Sequence, residues 1–399
     1  MAARGRERHW GAVRHAPDYG LLAVAAVLLV IGLIAVYSSS YALGYAQFGD
    51  PNFFIKRQTM AALVGVTGLV LAMQIDYHRL RRLSPLLMLG ALLLLSAVLL
   101  PGIGVEQNGA RRWIALGPLP PLQPSEFAKL AVIVYMAAWL AAKGQMVRDV
   151  ALGVLPFVGM VGLVAALIVL EPDLGTALLV AAITALLFFV AGARLSHLLT
   201  LGATAAVATG VLVLVEGYRV DRLVAFARPQ SDPSGIGFQT LQMLVALGSG
   251  GISGLGLGVS RQKFFYVPAS HTDGVIAIIG EELGLIGVLV VLSLFALLLW
   301  RGVQIARRAP DAFGSLLAIG VVAWITIQLL VNVGGVTRSL PLTGVPLPLL
   351  SYGGSSLVML LTAIGLLLSV SRYAAIGESA PARPLPRPTR TAAAGGSTR

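Results

Sequence analysis

The chain has no cysteine. Thiol nucleophiles, disulfides and thiolate metal sites are therefore excluded. Its five histidines are far apart and show no metal-ligand spacing. Charge is scarce as well: Asp, Glu, Lys and Arg make up 12% of the 399 residues, about half the soluble norm. Hydrophobic residues make up 57% and the mean hydropathy is +0.86. A string of soluble domains is excluded by that composition. Also missing is an internal repeat of the kind that marks many transporters. The glycine-rich run from Gly248 to Gly258 follows no strand pattern and lacks a Gly-Lys-Ser/Thr ending, so it is read as close backbone packing at the membrane surface, not as a nucleotide loop.

What is present is a series of long apolar runs. Ten are long enough, or nearly so, to cross a bilayer, near 19–38, 58–74, 84–101, 125–142, 151–170, 174–191, 196–215, 274–300, 312–333 and 353–372. The first is too long for a signal-peptide core and is read as a retained span. The expected fold is all-α, a polytopic integral membrane protein of about ten transmembrane helices. One large extracytoplasmic loop, 216–273, separates the seventh from the eighth. In that loop, Phe238 to Leu247 is apolar but too short to span, which suits an interfacial or re-entrant helix. The domain plan is a basic N-terminal tail over 1–18, a membrane domain over 19–373 and a disordered tail over 374–399.

The net charge of +12 is spread in short basic runs between apolar stretches, which is membrane topology and not nucleic-acid binding. One side carries 18 of the 29 Lys and Arg residues and is assigned as cytoplasmic, with both termini on it. Other basic residues lie in loops 102–124, 216–273 and 334–352 or near their ends, on the disfavoured face, where an anionic ligand would account for them.

The chemistry-bearing stretches converge on that extracytoplasmic face. Arg261 to Gly274 is a basic, aromatic loop that ends at Asp273, the last polar residue before an apolar run. A carboxylate there is partly desolvated, which raises its pKa and improves it as a base, although capping of the next helix by Asp273 or Thr272 is the plainer role. His271, Thr272, Arg261 and Lys263 are its neighbours in sequence. Glu126 and Lys129, at i and i+3 where the fourth span opens after Pro124, share a helix face and can pair. Asp173 lies in a tight Glu-Pro-Asp turn between the fifth and sixth spans, where it can cap. Arg111 and Arg112 follow Asn108-Gly109, and an arginine fork suits phosphate. Trp113 beside them reads as a headgroup anchor. From Asn332 to Ser356, ending in Ser351-Tyr352-Gly353-Gly354-Ser355, dense Pro and Gly should break any helix.

These motifs carry a resemblance. Residues 123–130, 171–177, 248–284 and 332–356, with the ten-span plan, resemble the SEDS family of FtsW, RodA and SpoVE proteins. Gly256 to Lys263 is more similar to the FtsW/SpoVE branch. Ala269, Gly274-Val275 and Arg338 depart from the family's usual residues. The resemblance implies a peptidoglycan glycosyltransferase that polymerises lipid II at the outer face of the bacterial cytoplasmic membrane during cell division. It implies a class B penicillin-binding protein, other divisome membrane proteins and membrane lipid as partners. It implies Asp273 as the catalytic carboxylate, with Glu126, Lys129 and Asp173 in or near a central cavity. A divalent cation, Mg or Mn, is a candidate cofactor with Asp273 as a candidate ligand, and no organic cofactor is expected. The rivals are a RodA-type elongation polymerase, a lipid II flippase coupled through Glu281 and Glu282, and a scaffold that only recruits other proteins.

Overall fold

The structure is a computed structural model that describes residues 15–107, 110–117, 119–215, 217–232, 235–264, 267 and 270–373. The expected tails, apart from residues 15–18, lie outside the described residues, as do Asn108, Gly109 and Ala269.

Three long helices open the chain, α1 (Tyr19–Phe48), α2 (Phe53–Gln74) and α3 (Tyr77–Leu99). Asp18 and Asp76 cap α1 and α3 by accepting from Leu21 N and His78 N. The following loop folds into a three-stranded antiparallel sheet of β1 (Gly104–Gln107), β2 (Ala110–Leu116) and β3 (Leu119–Leu122), an element the all-α expectation did not include. Then come α4 (Pro124–Lys143), α5 (Leu155–Leu170), α6 (Leu174–Val190) and α7 (Leu195–Val215). Pro124 occupies the first turn of α4, where its missing N–H costs nothing.

The long loop is not structureless. It holds the amphipathic α8 (Gly217–Ala227) and the expected short apolar helix, α9 (Ile236–Ser249). The bundle closes with α10 (Val275–Arg308), α11 (Ala312–Val336) and α12 (Gly354–Ser371). Contrary to expectation, α11 runs on through Asn332 and the Gly334-Gly335 pair. The next segment folds back over those glycines: a Cβ at Gly334 would lie 2.8 Å from Leu340 Cδ1. That close packing offsets the roughly 1 kcal/mol a helical glycine costs.

Among the described residues, nine helices are long and apolar enough to cross a membrane, namely α1 to α5 (with α4 continued to Arg148 and α5 preceded by a helical turn from Val150), α7 and α10 to α12. The tenth expected run is α6, whose 17 residues fall at the short end of the spanning range. α4, α11 and α12 form the buried centre, whereas α7 has no buried residue among those described. At one end of the bundle Arg301 binds Asp18 and Arg372 binds the Met73 carbonyl. The sheet, α8, α9 and the breaks before α6, α10 and α12 gather at the other.

Candidate active site

The site is positioned by a break in α10. Gly284 has φ 67° and ψ −166°, so the helix stops and restarts there. Its interrupted backbone groups are taken up by the glycine-rich run. Leu255 N and Gly256 N donate to the carbonyls of Glu281 and Glu282, and Leu285 N and Ile286 N donate to those of Gly251 and Ile252. This exchange needs backbones in contact. A Cβ on Gly254 would lie 2.2 Å from the Glu282 carbonyl oxygen. The expectation of close backbone packing for Gly248 to Gly258 is thus met against a specific partner, the broken helix.

Side chains lock the same junction. Ser260 Oγ donates to Glu281 at 2.5 Å, and Arg261 N donates to the same carboxylate at 3.0 Å. Lys263 Nζ pairs with Glu282 at 3.0 Å and donates to the Gly258 carbonyl at 2.6 Å. Ser38 of α1 donates to Glu282 at 2.6 Å. Lys263 is therefore buried in an ion pair, and Arg261 contributes its backbone while its side chain is exposed.

Asp273 sits at the head of the short first segment of α10. It does not cap that helix: Gly274 is the N-cap residue and no side chain bonds there. Asn332 Nδ2 donates to the Asp273 carbonyl at 3.1 Å and to the Val345 carbonyl at 2.9 Å. Gly344 lies against the carboxylate, since a Cβ there would stand 3.6 Å from Oδ2. Burial raises the Asp273 pKa to about 6, against the opposing charge of Arg222 on α8. A carboxylate so placed is ionised at neutral pH and basic enough to take a proton.

His271 is held differently. Its ring packs on Phe54 at 4.6 Å and Tyr352 at 5.5 Å between centroids, and its Nδ1 is buried without a partner. Burial lowers its pKa to about 4. The Thr272 carbonyl accepts from Ser351 Oγ, and Tyr352 N donates to the His271 carbonyl at 2.8 Å. Gly353 N donates to Gln58 of α2, Gly354 begins α12, and Ser355 Oγ donates to the Pro121 carbonyl of β3. The Ser351 to Ser355 stretch is thus a seam that joins the loop ahead of α10, α2 and the sheet.

Glu126 and Lys129 do pair, 2.8 Å apart and both buried. Lys129 also lies 3.4 Å from Gln328 Oε1 and 4.9 Å from the Trp324 ring centroid, while Gln328 Nε2 donates to the Pro346 carbonyl at 2.8 Å. This polar cluster braces the segment from Val345 to Pro346, which Asn332, one turn further along α11, also holds.

Arg111 and Arg112 point to opposite faces of β2, as alternation along a strand requires. Arg111 is exposed and lies 3.4 Å from Glu106. Arg112 is half-buried: its Nε donates to the Glu171 carbonyl at 2.9 Å and its Nη2 to the Pro172 carbonyl. Asp173 caps α6, accepting from Thr176 N at 3.1 Å and Thr176 Oγ1 at 2.9 Å. Glu171 is fully buried with both carboxylate oxygens unpartnered, and burial raises its pKa to about 8.

A cavity of about 260 Å³ opens beside these groups, lined by Arg112, Asp173 and Arg222 at one end and by Leu178, Val213 and Val331 at the other. Of the expected site residues, Arg112 and Asp173 line it, and Asp273 stands next to it through Arg222 and Gly344. Arg111, Arg261, Lys263 and the Glu126–Lys129 pair do not line it. Arg222 was missed from sequence. The signal that could have found it is the amphipathic pattern of α8 within a loop read as irregular.

The fold and the site define a polytopic membrane protein with a buried polar centre at one end of its bundle. The chain belongs to the family of FtsW/RodA/SpoVE cell cycle proteins, whose match spans residues 19–376. It is 45% identical to stage V sporulation protein E of Bacillus subtilis, over 90% of this chain and 97% of that protein. It is 43% identical to the probable peptidoglycan glycosyltransferase FtsW of Trichlorobacter lovleyi, over 89% of this chain and 93% of that one. Among solved structures it resembles a chain described under structural coordination of polymerization and crosslinking by a peptidoglycan synthase complex, with TM-score 0.73, 32% identity, and 90% and 98% of the two chains covered. It also resembles the rod shape determining protein RodA of Thermus thermophilus, with TM-score 0.66, 30% identity, and 90% and 97% covered.

Proposed function

We propose that this chain is a peptidoglycan glycosyltransferase that polymerises lipid II. The observation that carries the reading is the Asp273 carboxylate. It is partly buried, relieved of any capping role, fixed through its backbone by Asn332, and set beside a cavity whose ends are cationic and apolar. Asp273 takes the proton of the acceptor's GlcNAc 4-hydroxyl as that oxygen forms a bond to the anomeric carbon of the donor's MurNAc. The bond from that carbon to the diphosphate oxygen breaks on the opposite face, with inversion, and undecaprenyl diphosphate leaves. Arginine charge beside the cavity stabilises the leaving group.

The identities to SpoVE and FtsW relatives exceed that to RodA, which supports septal cell-wall synthesis over elongation. The likeness to a chain of a peptidoglycan synthase complex supports a class B penicillin-binding protein as partner. Other divisome membrane proteins belong to the same reading, and membrane lipid surrounds the spans. A divalent cation bound here would take Asp273 as its protein ligand. No group of three His, Asp or Glu side chains among the described residues could hold one alone, so substrate phosphates and water would complete its shell. Ion-coupled flipping through Glu281 and Glu282 is disfavoured, because Ser260, Lys263 and Ser38 already bind both carboxylates.

The basic-residue bias supports a topology with both termini in the cytoplasm and the site outside. A reporter fused after residue 372 then reads cytoplasmic and one inserted within 225–235 reads extracytoplasmic. The same side for both would undo the topology. The function itself is tested by glycan synthesis from lipid II by purified protein, with and without the partner. No polymer under either condition would overturn it.

A further inference from the structure

The cavity between α6, α7, α8 and α11 has a charged end and an apolar end, and its apolar end continues. A second cavity of about 710 Å³ runs along α6 and α7 and shares Leu178, Thr209, Val213 and Leu223 with the first. Its remaining wall is built from Gly, Ala and Leu residues of α7. A ligand that fills both spaces carries an anionic head and an apolar tail.

At the charged end, two guanidinium groups are held in place by backbone and still have donors to spare. Arg222 Nη1 donates to the Leu342 carbonyl at 3.1 Å, while Arg222 Nε is buried with no partner among the described residues. Arg112 uses Nε and Nη2 on the Glu171 and Pro172 carbonyls, which leaves Nη1 without a hydrogen bond among the described residues. A buried guanidinium N–H without an acceptor is costly, and two fixed forks on one cavity match the several acceptors of a diphosphate. The nearby Asp173 carboxylate already accepts from Thr176 N and Oγ1 at the start of α6.

We infer that Arg222, together with Arg112, forms the seat of the donor's diphosphate, and that the groove along α6 and α7 takes the first isoprene units of its lipid. This rests on the glycosyl-transfer reading for the assignment to donor. Asp273 lies close enough to feel the charge of Arg222. The acceptor's reacting 4-hydroxyl is at the far end of a disaccharide from its own diphosphate. The donor's diphosphate is attached to the carbon under attack. A diphosphate seat next to the base therefore belongs to the donor.

Binding of short prenyl probes tests the seat without turnover. The full-length protein in detergent is titrated with farnesyl diphosphate, farnesyl monophosphate and farnesol. The wild type is expected to bind the diphosphate most tightly. Arg222→Gln should lose about tenfold in diphosphate affinity, the worth of one charge-assisted pair, and keep its farnesol affinity. Arg222→Lys should fall between, since it keeps the charge and loses the fork. Arg338 holds the other end of α8 through the Phe226 and Ala227 carbonyls. Arg338→Gln thus loosens α8 away from the cavity and should keep the preference for diphosphate. Unchanged diphosphate binding in Arg222→Gln, or an equal loss for farnesol, overturns the seat. A diphosphate preference that depends on Arg222 in a protein that makes no glycan would instead remove the glycosyl-transfer reading and leave the seat standing.

Discussion

Asn332 of α11 spans two carbonyls with one amide group, that of Asp273 at 3.1 Å and that of Val345 at 2.9 Å. It therefore ties the loop that ends at Asp273 to the Val345 segment, without touching the carboxylate. Asn332→Ala leaves both carbonyls short of a donor, at about 1–3 kcal/mol for such a buried loss. The expected outcome is a lower melting temperature in detergent and a slower polymerisation rate with an unshifted pH profile. A shifted profile would mean that Asn332 acts on the carboxylate itself.

Asp273→Asn keeps the size and removes the carboxylate proposed as the base. Polymerisation of lipid II should fall by about a hundredfold to ten-thousandfold, with folding and partner binding retained. His271→Gln should be milder, because the ring is packed on Phe54 and Tyr352 and burial lowers its pKa to about 4. With Asp273 titrating at about 6, the wild-type rate should be flat above that pH. Below it the rate should drop roughly tenfold per pH unit as the carboxylate takes up a proton. An active Asp273→Asn protein beside a dead His271→Gln protein would move the base to the histidine.

Glu126 and Lys129 act as one unit in the buried cluster with Gln328 and Trp324. Glu126→Ala strands a buried ammonium, so the single change should cost about 3–5 kcal/mol in stability. Changing both to neutral residues should cost less than the two single losses together. Strict additivity in a double-mutant cycle would refute the coupling.

Glu171 gives a signature in pH. Its carboxyl is buried without a partner and its pKa rises from 4.5 to about 8. Between those values the unfolded chain has lost the proton that the folded protein keeps. Stability therefore falls as pH rises through that window, by on the order of a few kcal/mol. Glu171→Gln should flatten the dependence of melting temperature between pH 5 and 9. An unchanged slope would show that Glu171 is ionised in the folded protein.

The spans, the helix start at Pro124, the pairing of Glu126 with Lys129 and the singling out of Asp273 were all legible in the sequence. Each follows from a local property: run length, a proline's missing donor, a three-residue spacing, or the last polar residue before an apolar run. The desolvation of Asp273 was legible for the same reason.

What only the tertiary structure decided is which groups remain free to act. Sequence placed Arg111 and Arg112, Arg261 and Lys263 on the site's face alike. Strand alternation turns Arg111 away, and Glu282 takes Lys263. The glycine-rich run between α9 and α10 read as close backbone packing, but its partner was not legible: its carbonyls and N–H groups are spent on the break at Gly284. Arg222 lay unnoticed in the long loop until α8 brought it beside Asp273, 51 positions further on in the numbering. Local pattern determines which segments form helices and which residues are costly to bury. The partner of each polar group is chosen by contacts between distant segments, and a hydrogen bond made to one partner is withdrawn from every other.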